Sequence, residues 1–337
     1  MIVDGQSPQA ITAAAQALRR GELLGLPTET VYGLAADAGN DAAVAKIFAA
    51  KGRPANHPLI VHVASAADVP RFASHVPQFA QQLIDAFWPG PLTLILPRRP
   101  EVAAVAAGGQ DSVGLRCPAH PVAHAVLQSA ETLGVFGVAA PSANLFGRVS
   151  PTTAAHVATE FGERLLIVDG GACDVGIEST IVDCTRGMPV LLRPGVLTLE
   201  QLSAACGEIV RTPAITDADA PRASGTLASH YAPSAQVRLM DAQEMQAALN
   251  HLSTTTAGPS HVAVWSRRPM QVNAALNAHV VQCAMPQDPV ACAHVLFAQL
   301  REFDRQGVAQ IWVERPAQLP EWEGVLDRLT RAATPAG

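Results

Sequence analysis

The chain is 337 residues long, 49% hydrophobic and 15% charged, enough for two ordinary domains with buried cores. A net charge of −6 with 4% aromatic residues supplies neither a basic surface for phosphate backbones nor stacking platforms for single strands, so stable nucleic-acid binding is not expected. No apolar run approaches a membrane span, no basic-then-apolar leader opens the chain, and six cysteines without a CxxC pair argue against a zinc knuckle or a secreted disulfide framework; cytoplasm is the expected compartment.

In chain order, Ser7 and Pro8 form an N-cap and first-turn proline. Ile11, Ala14, Ala15 and Leu18 line one face of the predicted helix, and Gly21 stops it. A strand at "LLGLP" follows. "LPTETVYGLAAD", residues 26–37, then sets Thr28, Glu29 and Thr30 where that strand should end, two hydroxyls and a carboxylate suited to the floor of a small polar ligand site. Asp41 is expected to cap the next helix, with Val44, Ile47 and Phe48 as its buried stripe, Lys51 in its last turn and Gly52 as its stop.

Strands are predicted at "LIVHV" (59–63), "LTLIL", "SVGLR", "FGVAA", "LLIVD", "STIVD" and "PVLLR". They outnumber the helices, so parallel crossovers cannot join them all. The expected core is a mixed, twisted α/β sheet with flanking helices. Residues 207 to 233, rich in Pro, Thr, Ala and Ser, show neither period and read as a linker whose far end, "SHYAPSAQ", carries unusual chemistry. Beyond it, "QVRLM", "HVAVWS", "HVVQC" and "AQIWVE" alternate with helices near 241–250, 288–306 and 321–333. Asp288 and Pro289 open one of these helices and Gly307 closes it. This is the pattern of a smaller, doubly wound, Rossmann-like α/β domain, without a GxGxxG. The division is 1–206, a linker or lid at 207–234, and 235–337.

Several stretches carry candidate chemistry. Lys51 and Arg53, with Pro54 and Pro58 stiffening the backbone toward His62, suit a polyphosphate; on this stretch alone a solvated helix end complementing its dipole is the commoner reading. His62 alternates with Leu59, Val61 and Val63, on the opposite strand face with Ile60, where a histidine is more often a hydrogen-bonded half-buried residue than a ligand contact. Arg116 ends a strand before Pro118, where a guanidinium fork often holds carboxylates or phosphates, although a surface salt bridge is the commoner use. His120 and His124 are four apart, but Pro121 and the lack of an acidic neighbour disfavour a metal. "APSANLFGRVSPT" offers Ser142, Asn144 and Ser150 in a shaped loop, although Ser150 and Thr153 also fit the N-cap of a helix starting near Thr152. "DGGACDVGIEST" resembles a phosphate-cradling loop only weakly, because it lacks the GxxxxGK[ST] frame.

"LPTETVYGLAAD", "KGRP…PLIVH", "SVGLRCPAHP", "APSANLFGRVSPT", "GIESTIVD" and "LLRPG" occur in the order, and nearly the wording, of the threonylcarbamoyl-AMP synthase family with its YrdC-like domain. "HYAP" followed by a small α/β domain is similar to the longer, two-domain members, although "SGTLASHYAP" lacks the basic residue that often precedes that motif. The resemblance implies a nucleotidyltransferase that joins L-threonine, bicarbonate or CO₂, and ATP into threonylcarbamoyl-AMP and pyrophosphate. Its product would pass to the machinery that makes threonylcarbamoyladenosine in tRNA. It implies Lys51, Arg53, Ser142 and Asn144 as the catalytic quartet, and Thr30, His62, Arg116, Ala140 and Ser179 around L-threonine. Around ATP it implies Arg53, His57, Ser112, Ser142, Ser150, Arg193 and Tyr231, with His57 keeping a donor where many relatives carry Asn. Mg²⁺ would be held by ATP rather than by protein side chains. No Ser–His or Cys–His nucleophile is required, and none is evident. The competing class is a double-stranded-RNA or ribosome-binding YrdC-like module.

Overall fold

The computed structural model describes residues 1–212, 220–252 and 261–335. The chain forms two compact units. The first comprises 1–146 and 150–226, and the second comprises 147–149 and 227–337. The predicted linker is thus divided: 220–226 belong to the first unit and 227–233 to the second, while 213–219 lie outside the described residues.

The first unit runs β1 (Ile2–Asp4), α1 (Pro8–Arg19), β2 (Leu24–Leu26), β3 (Gly33–Asp37), α2 (Asp41–Lys51), β4 (Ile60–His62), α3 (Val69–Phe72) and α4 (Gln78–Phe87). It continues with β5 (Leu92–Pro97), β6 (Ser112–Arg116), α5 (Pro121–Thr132), β7 (Val138–Ala139), α6 (Ala154–Phe161), β8 (Leu166–Asp169), β9 (Thr180–Asp183), β10 (Val190–Arg193) and α7 (Leu199–Cys206). The strands make one mixed sheet in the order β1-β8-β2-β3-β7-β4-β6-β5-β9-β10. The short β3, "GLAAD", has no β-branched or aromatic residue to announce it. Pairing with β2 and β7 and complete burial override its weak propensity.

Local signals account for the helix ends. Ser7 accepts the Ala10 N–H at the start of α1, as expected. The cap of α2 is Asn40 rather than Asp41: Asn40 has extended backbone and accepts the Ala43 N–H, so Asp41 is the first helical residue. Gly52 closes α2 in the left-handed region at φ 62°.

Sheet register places the site. Val61, Leu94, Leu96, Val113, Leu115 and Val182 point into the main core with residues of α2, α4, α6 and α7. On the other face, a second cluster built on α1 and α5 covers Leu24, Ala35, Val138 and Ala140. Directly opposed residues share a face. His62 opposes Val138 and Arg116, and Ile60 opposes Gly114, which opposes Ile95; Thr93 opposes Ile181. His62, Arg116, Thr93 and Ile181 therefore form a row across four strands, on the α1–α5 face but beyond the apolar cluster. Arg193, paired with Ile181 beside a β-bulge, extends it.

The second unit has four parallel strands, β11 (Gln236–Met240), β12 (Val262–Ser266), β13 (Val280–Ala284) and β14 (Gln310–Glu314), in the order β11-β14-β12-β13. Its helices are α8 (Ala242–His251), α9 (Pro289–Arg305) and α10 (Glu323–Ala333). The direction of winding reverses after β13, as expected for a doubly wound domain. Gly147–Val149 join this unit through Ala232 N–H to Gly147 O at 2.9 Å and a guanidinium bond from Arg301 to Val149 O.

A Cβ at Gly195 would lie 2.6 Å from both the backbone nitrogen and the Oγ1 of Thr180. Gly195→Ala is therefore expected to destabilise the protein by about 1–3 kcal/mol by forcing β9 away from β10. A urea denaturation curve that matches wild type would contradict this.

Candidate active site

Glu29 and Thr30 are held by a tight turn. Thr28 Oγ1 donates to Val31 O at 2.6 Å and accepts from the N–H groups of Thr30 and Val31, each at 3.2 Å. Its only proton being spent, the 2.9 Å contact between Thr28 and Thr30 hydroxyls has Thr30 as donor. The Thr30 oxygen in turn accepts from Arg116 Nη1 at 2.8 Å. The same guanidinium donates from Nε to Gly90 O at 3.2 Å and contacts Glu29 Oε1 at 2.6 Å through Nη2. That last contact is an ion pair without an aligned N–H. Both Glu29 oxygens, Arg116 Nη2 and the neighbouring His62 Nδ1 are buried without a hydrogen-bond partner.

His62 stays neutral, because burial and the Arg116 guanidinium push its pKa down to about 3. Ser179, just before β9, shares a 2.8 Å hydroxyl contact with Thr93. Arg193 donates twice to Ser179 O, at 2.9 and 3.1 Å, and to Ser179 Oγ at 3.2 Å. Ala140 continues β7, its N–H bonded to Ile60 O at 3.0 Å. Thr30, His62, Arg116, Ala140 and Ser179 all lie in this one unit, in or beside the polar row.

Lys51 is not a solvated helix end. It is buried, and its ammonium donates to Ser142 O at 2.5 Å and to Asn144 O, tying α2 to the loop after β7. Burial first, then the Arg53 charge, lower its pKa well below the usual lysine value. Arg53 is also buried. It donates to Pro58 O at 2.9 Å, His57 O at 3.3 Å and Ser224 Oγ at 3.1 Å, with its guanidinium 5.6 Å from the Phe146 ring centroid. His57 packs edge-on against the same ring at 5.5 Å, and its pKa is lowered by partial burial, Arg53 and Arg222. Ser150 does not cap α6. That cap is Thr153, and Ser150 bonds the buried Glu178 carboxylate.

The segment 222–224 lies against this face. Arg222 N–H donates to Gln110 Oε1 at 2.8 Å, Ser224 Oγ to Pro58 O at 2.7 Å, and Arg193 Nη1 to Ser224 O at 2.9 Å. Between it and the strands lies a shallow recess of about 20 Å³, open to solvent, with Ser112, Gly114, Thr93 and Ile181 in its lining. Tyr231 belongs to the second unit. It is fully buried at φ 60°, 5.4 Å from Phe297 and with the Arg328 guanidinium 5.3 Å from its ring centroid.

Sequence reasoning missed Thr93, Glu178 and Ser224. Thr93 was legible as the one polar residue inside "LTLIL" and Glu178 as the acid beside Ser179, whereas Ser224 lay in a stretch without periodicity. Among the described residues no cluster of three or more His, Cys, Asp or Glu is placed to hold a metal, and no helix is long and apolar enough to cross a membrane.

Residues 16–195 match the family model described as telomere recombination, and 197–334 match that of the threonylcarbamoyl-AMP synthase C-terminal domain. The threonylcarbamoyl-AMP synthase of Bacillus subtilis is 37% identical over 327 residues, 96% of this chain and 92% of the relative. The chain belongs to the threonylcarbamoyl-AMP synthase family. A second family member, from Pyrococcus abyssi, is 47% identical over 234 residues, 68% of each chain. The crystal structure of P. abyssi Sua5 complexed with L-threonine superposes with a TM-score of 0.85 at 38% identity, covering 96% of this chain and 94% of that one. The family match spans both units.

His62 generates a pH prediction. Its folded pKa of about 3 lies below the ordinary 6.5, so the unfolded chain binds the extra proton between those values and stability falls as pH drops through that window. Relative to His62→Gln, wild type should lose stability with a slope approaching about 1.4 kcal/mol per pH unit. Parallel stability-against-pH curves for the two proteins between pH 6 and 4 would contradict this.

Proposed function

We propose that this chain is an L-threonylcarbamoyladenylate synthase, a nucleotidyltransferase acting on L-threonine, bicarbonate or CO₂, and ATP. The observation that carries the reading is the charge of the site. Four buried basic side chains of the first unit are linked by short contacts: Lys51 to the carbonyls of Ser142 and Asn144 beside the Arg53 and Glu178 charges, Arg53 and Arg193 to Ser224, Arg193 to Ser179, and Arg116 to Thr30 and Glu29. A site of that composition suits ligands that bring negative charge: a nucleotide polyphosphate and an amino-acid carboxylate. The relatives' name and the threonine complex of P. abyssi Sua5 support the same choice.

In this reading Arg116 takes the carboxylate of L-threonine, with Thr30 fixing the guanidinium and His62, Ala140 and Ser179 completing the small pocket. Lys51, Arg53, Ser142, Asn144, Ser150 and Arg193 bind ATP, which enters as its magnesium complex, with Ser112 and His57 at the edge of its site. The amine of threonine adds to CO₂, and the carbamate oxygen so formed attacks the α-phosphorus and displaces pyrophosphate. The protein positions and neutralises, and forms no covalent bond. A phosphate beside Lys51 favours the ammonium form that burial alone disfavours. The acyl-adenylate product is then available to tRNA-modifying machinery.

Pyrophosphate release should require ATP, Mg²⁺, L-threonine and bicarbonate together. Arg53→Ala should lower turnover about 10²-fold or more. Lys51→Ala should additionally cost about 1–3 kcal/mol of stability, since the carbonyls of Ser142 and Asn144 lose their donor. Equal pyrophosphate release without threonine would overturn the assignment.

A further inference from the structure

Four buried polar atoms without a hydrogen-bond partner belong to three neighbouring side chains: Oε1 and Oε2 of Glu29, Nη2 of Arg116 and Nδ1 of His62. Desolvated polar atoms of this kind are costly unless a ligand completes them. Glu29 and Arg116 stand 2.6 Å apart, a negative and a positive group side by side. An α-amino acid is the complementary object, with its carboxylate and ammonium on one carbon. Arg116 is the natural partner of the carboxylate, which leaves Glu29 for the ammonium.

We propose that Glu29 binds the ammonium of the amino-acid substrate and accepts its proton, making it the general base of the carbamoylation step. This rests on the reading of L-threonine as substrate. The ligand-free pairing of Glu29 with Arg116 is then an occupied resting state in which each group stands in for one end of the zwitterion.

An ammonium has no lone pair and cannot form a bond to carbon. Transfer of one proton to a Glu29 oxygen frees the nitrogen lone pair, which forms the N–C bond to CO₂ as one C=O electron pair moves onto oxygen. Loss of the second N–H proton to solvent leaves the carbamate anion. Its oxygen bonds to the α-phosphorus as the bond to pyrophosphate breaks. Glu29 returns its proton to solvent before the next turnover.

Of the other candidate bases, His62 is held too weakly basic by burial and the Arg116 charge to take a proton near neutral pH, and the Lys51 ammonium is committed to Ser142 O and Asn144 O. The turn at Thr28, together with the Val175 N–H bonded to Glu29 O at 2.7 Å, fixes the Glu29 backbone, so the carboxylate is presented from a rigid support. Arg116, Cys117 and Cys173 are the groups whose charges act on Glu29 among the described residues. Burial pushes the Cys117 thiol up to about 11 and Cys173 higher still, so both thiols stay protonated near neutral pH.

The test uses the full chain. At pH 7, Glu29→Gln should lower kcat/KM for L-threonine about 10²-fold or more. The deficit should shrink by up to about tenfold per pH unit as the substrate amine deprotonates in solution. Glu29→Asp should retain part of the activity. In wild type, 3-hydroxybutyrate, which has the same carboxylate and hydroxyl but no amine, should bind at least about 10²-fold more weakly than threonine, because it leaves a buried carboxylate unpaired. Glu29→Gln should lose most of that discrimination.

A pH-independent deficit with threonine and 3-hydroxybutyrate weakened equally would make Glu29 a structural support for Arg116 and overturn the proposal. Should Glu29→Gln fail to fold, tight binding of 3-hydroxybutyrate to wild type would overturn it alone. If wild type releases no pyrophosphate with threonine, the functional reading fails. If it does, and Glu29→Gln matches it, only this inference fails.

Discussion

Burying positive charge in a protein interior is the constraint on which the first unit is organised. An isolated cation removed from water is strongly destabilising, and a protein holds one only by surrounding it with oxygen atoms of fixed direction. Here backbone carbonyls do most of that holding. Lys51 is anchored on Ser142 O and Asn144 O, Arg53 on His57 O and Pro58 O, Arg116 on Gly90 O, and Arg193 on Ser179 O and Ser224 O. Carbonyl dipoles orient each side chain, and Arg116 carries the Glu29 carboxylate beside it at 2.6 Å as well. The result is a preorganised set of cations that keeps its attraction for an incoming anion, the arrangement that electrostatic catalysis requires. It also explains the connectivity, since the bonds that hold the cations join α2, the loop after β7, the start of β9 and the segment 222–224.

The sheet supplies the second half of the design. Alternation along β4, β5, β6 and β9 sends Val61, Leu94, Leu115 and Val182 to one core while His62, Thr93, Arg116 and Ile181 face the other way. A one-residue slip in any of these registers would exchange core for site, so the apolar packing that specifies register also positions the functional groups. The mixed topology matters too. Antiparallel pairing of β6 with β5 brings Arg116 beside Thr93, and parallel pairing of β5 with β9 brings Ser179 within reach of it.

Much of this was legible in the sequence. The strand "LIVHV" reveals by period alone that His62 leaves the face of Val61, the position of Arg116 at the end of "SVGLR" is as expected, and the capping signals of α1 and α9 appear as read. What was not legible depends on contacts between distant segments. Lys51 sits where a helix-terminal lysine is ordinarily solvated, and only the return of residues 142–144 buries it. Ser150 has the local signature of a cap, yet its hydroxyl is taken by Glu178, 28 positions away. β3 lacks any local propensity and exists because its neighbours pair with it. Glu29 stood in plain view between two threonines, but nothing in its neighbourhood of sequence announces Arg116.

The most direct test of the central claim, that the buried cations and the Glu29–Arg116 pair form a site for a nucleotide and an amino acid, is a crystal structure with L-threonine and a non-hydrolysable ATP analogue. The account predicts the threonine carboxylate on Arg116 with its amine toward Glu29, and the phosphates against Lys51 and Arg53. Phosphates bound away from Lys51 and Arg53, or a threonine whose carboxylate avoids Arg116, would contradict it.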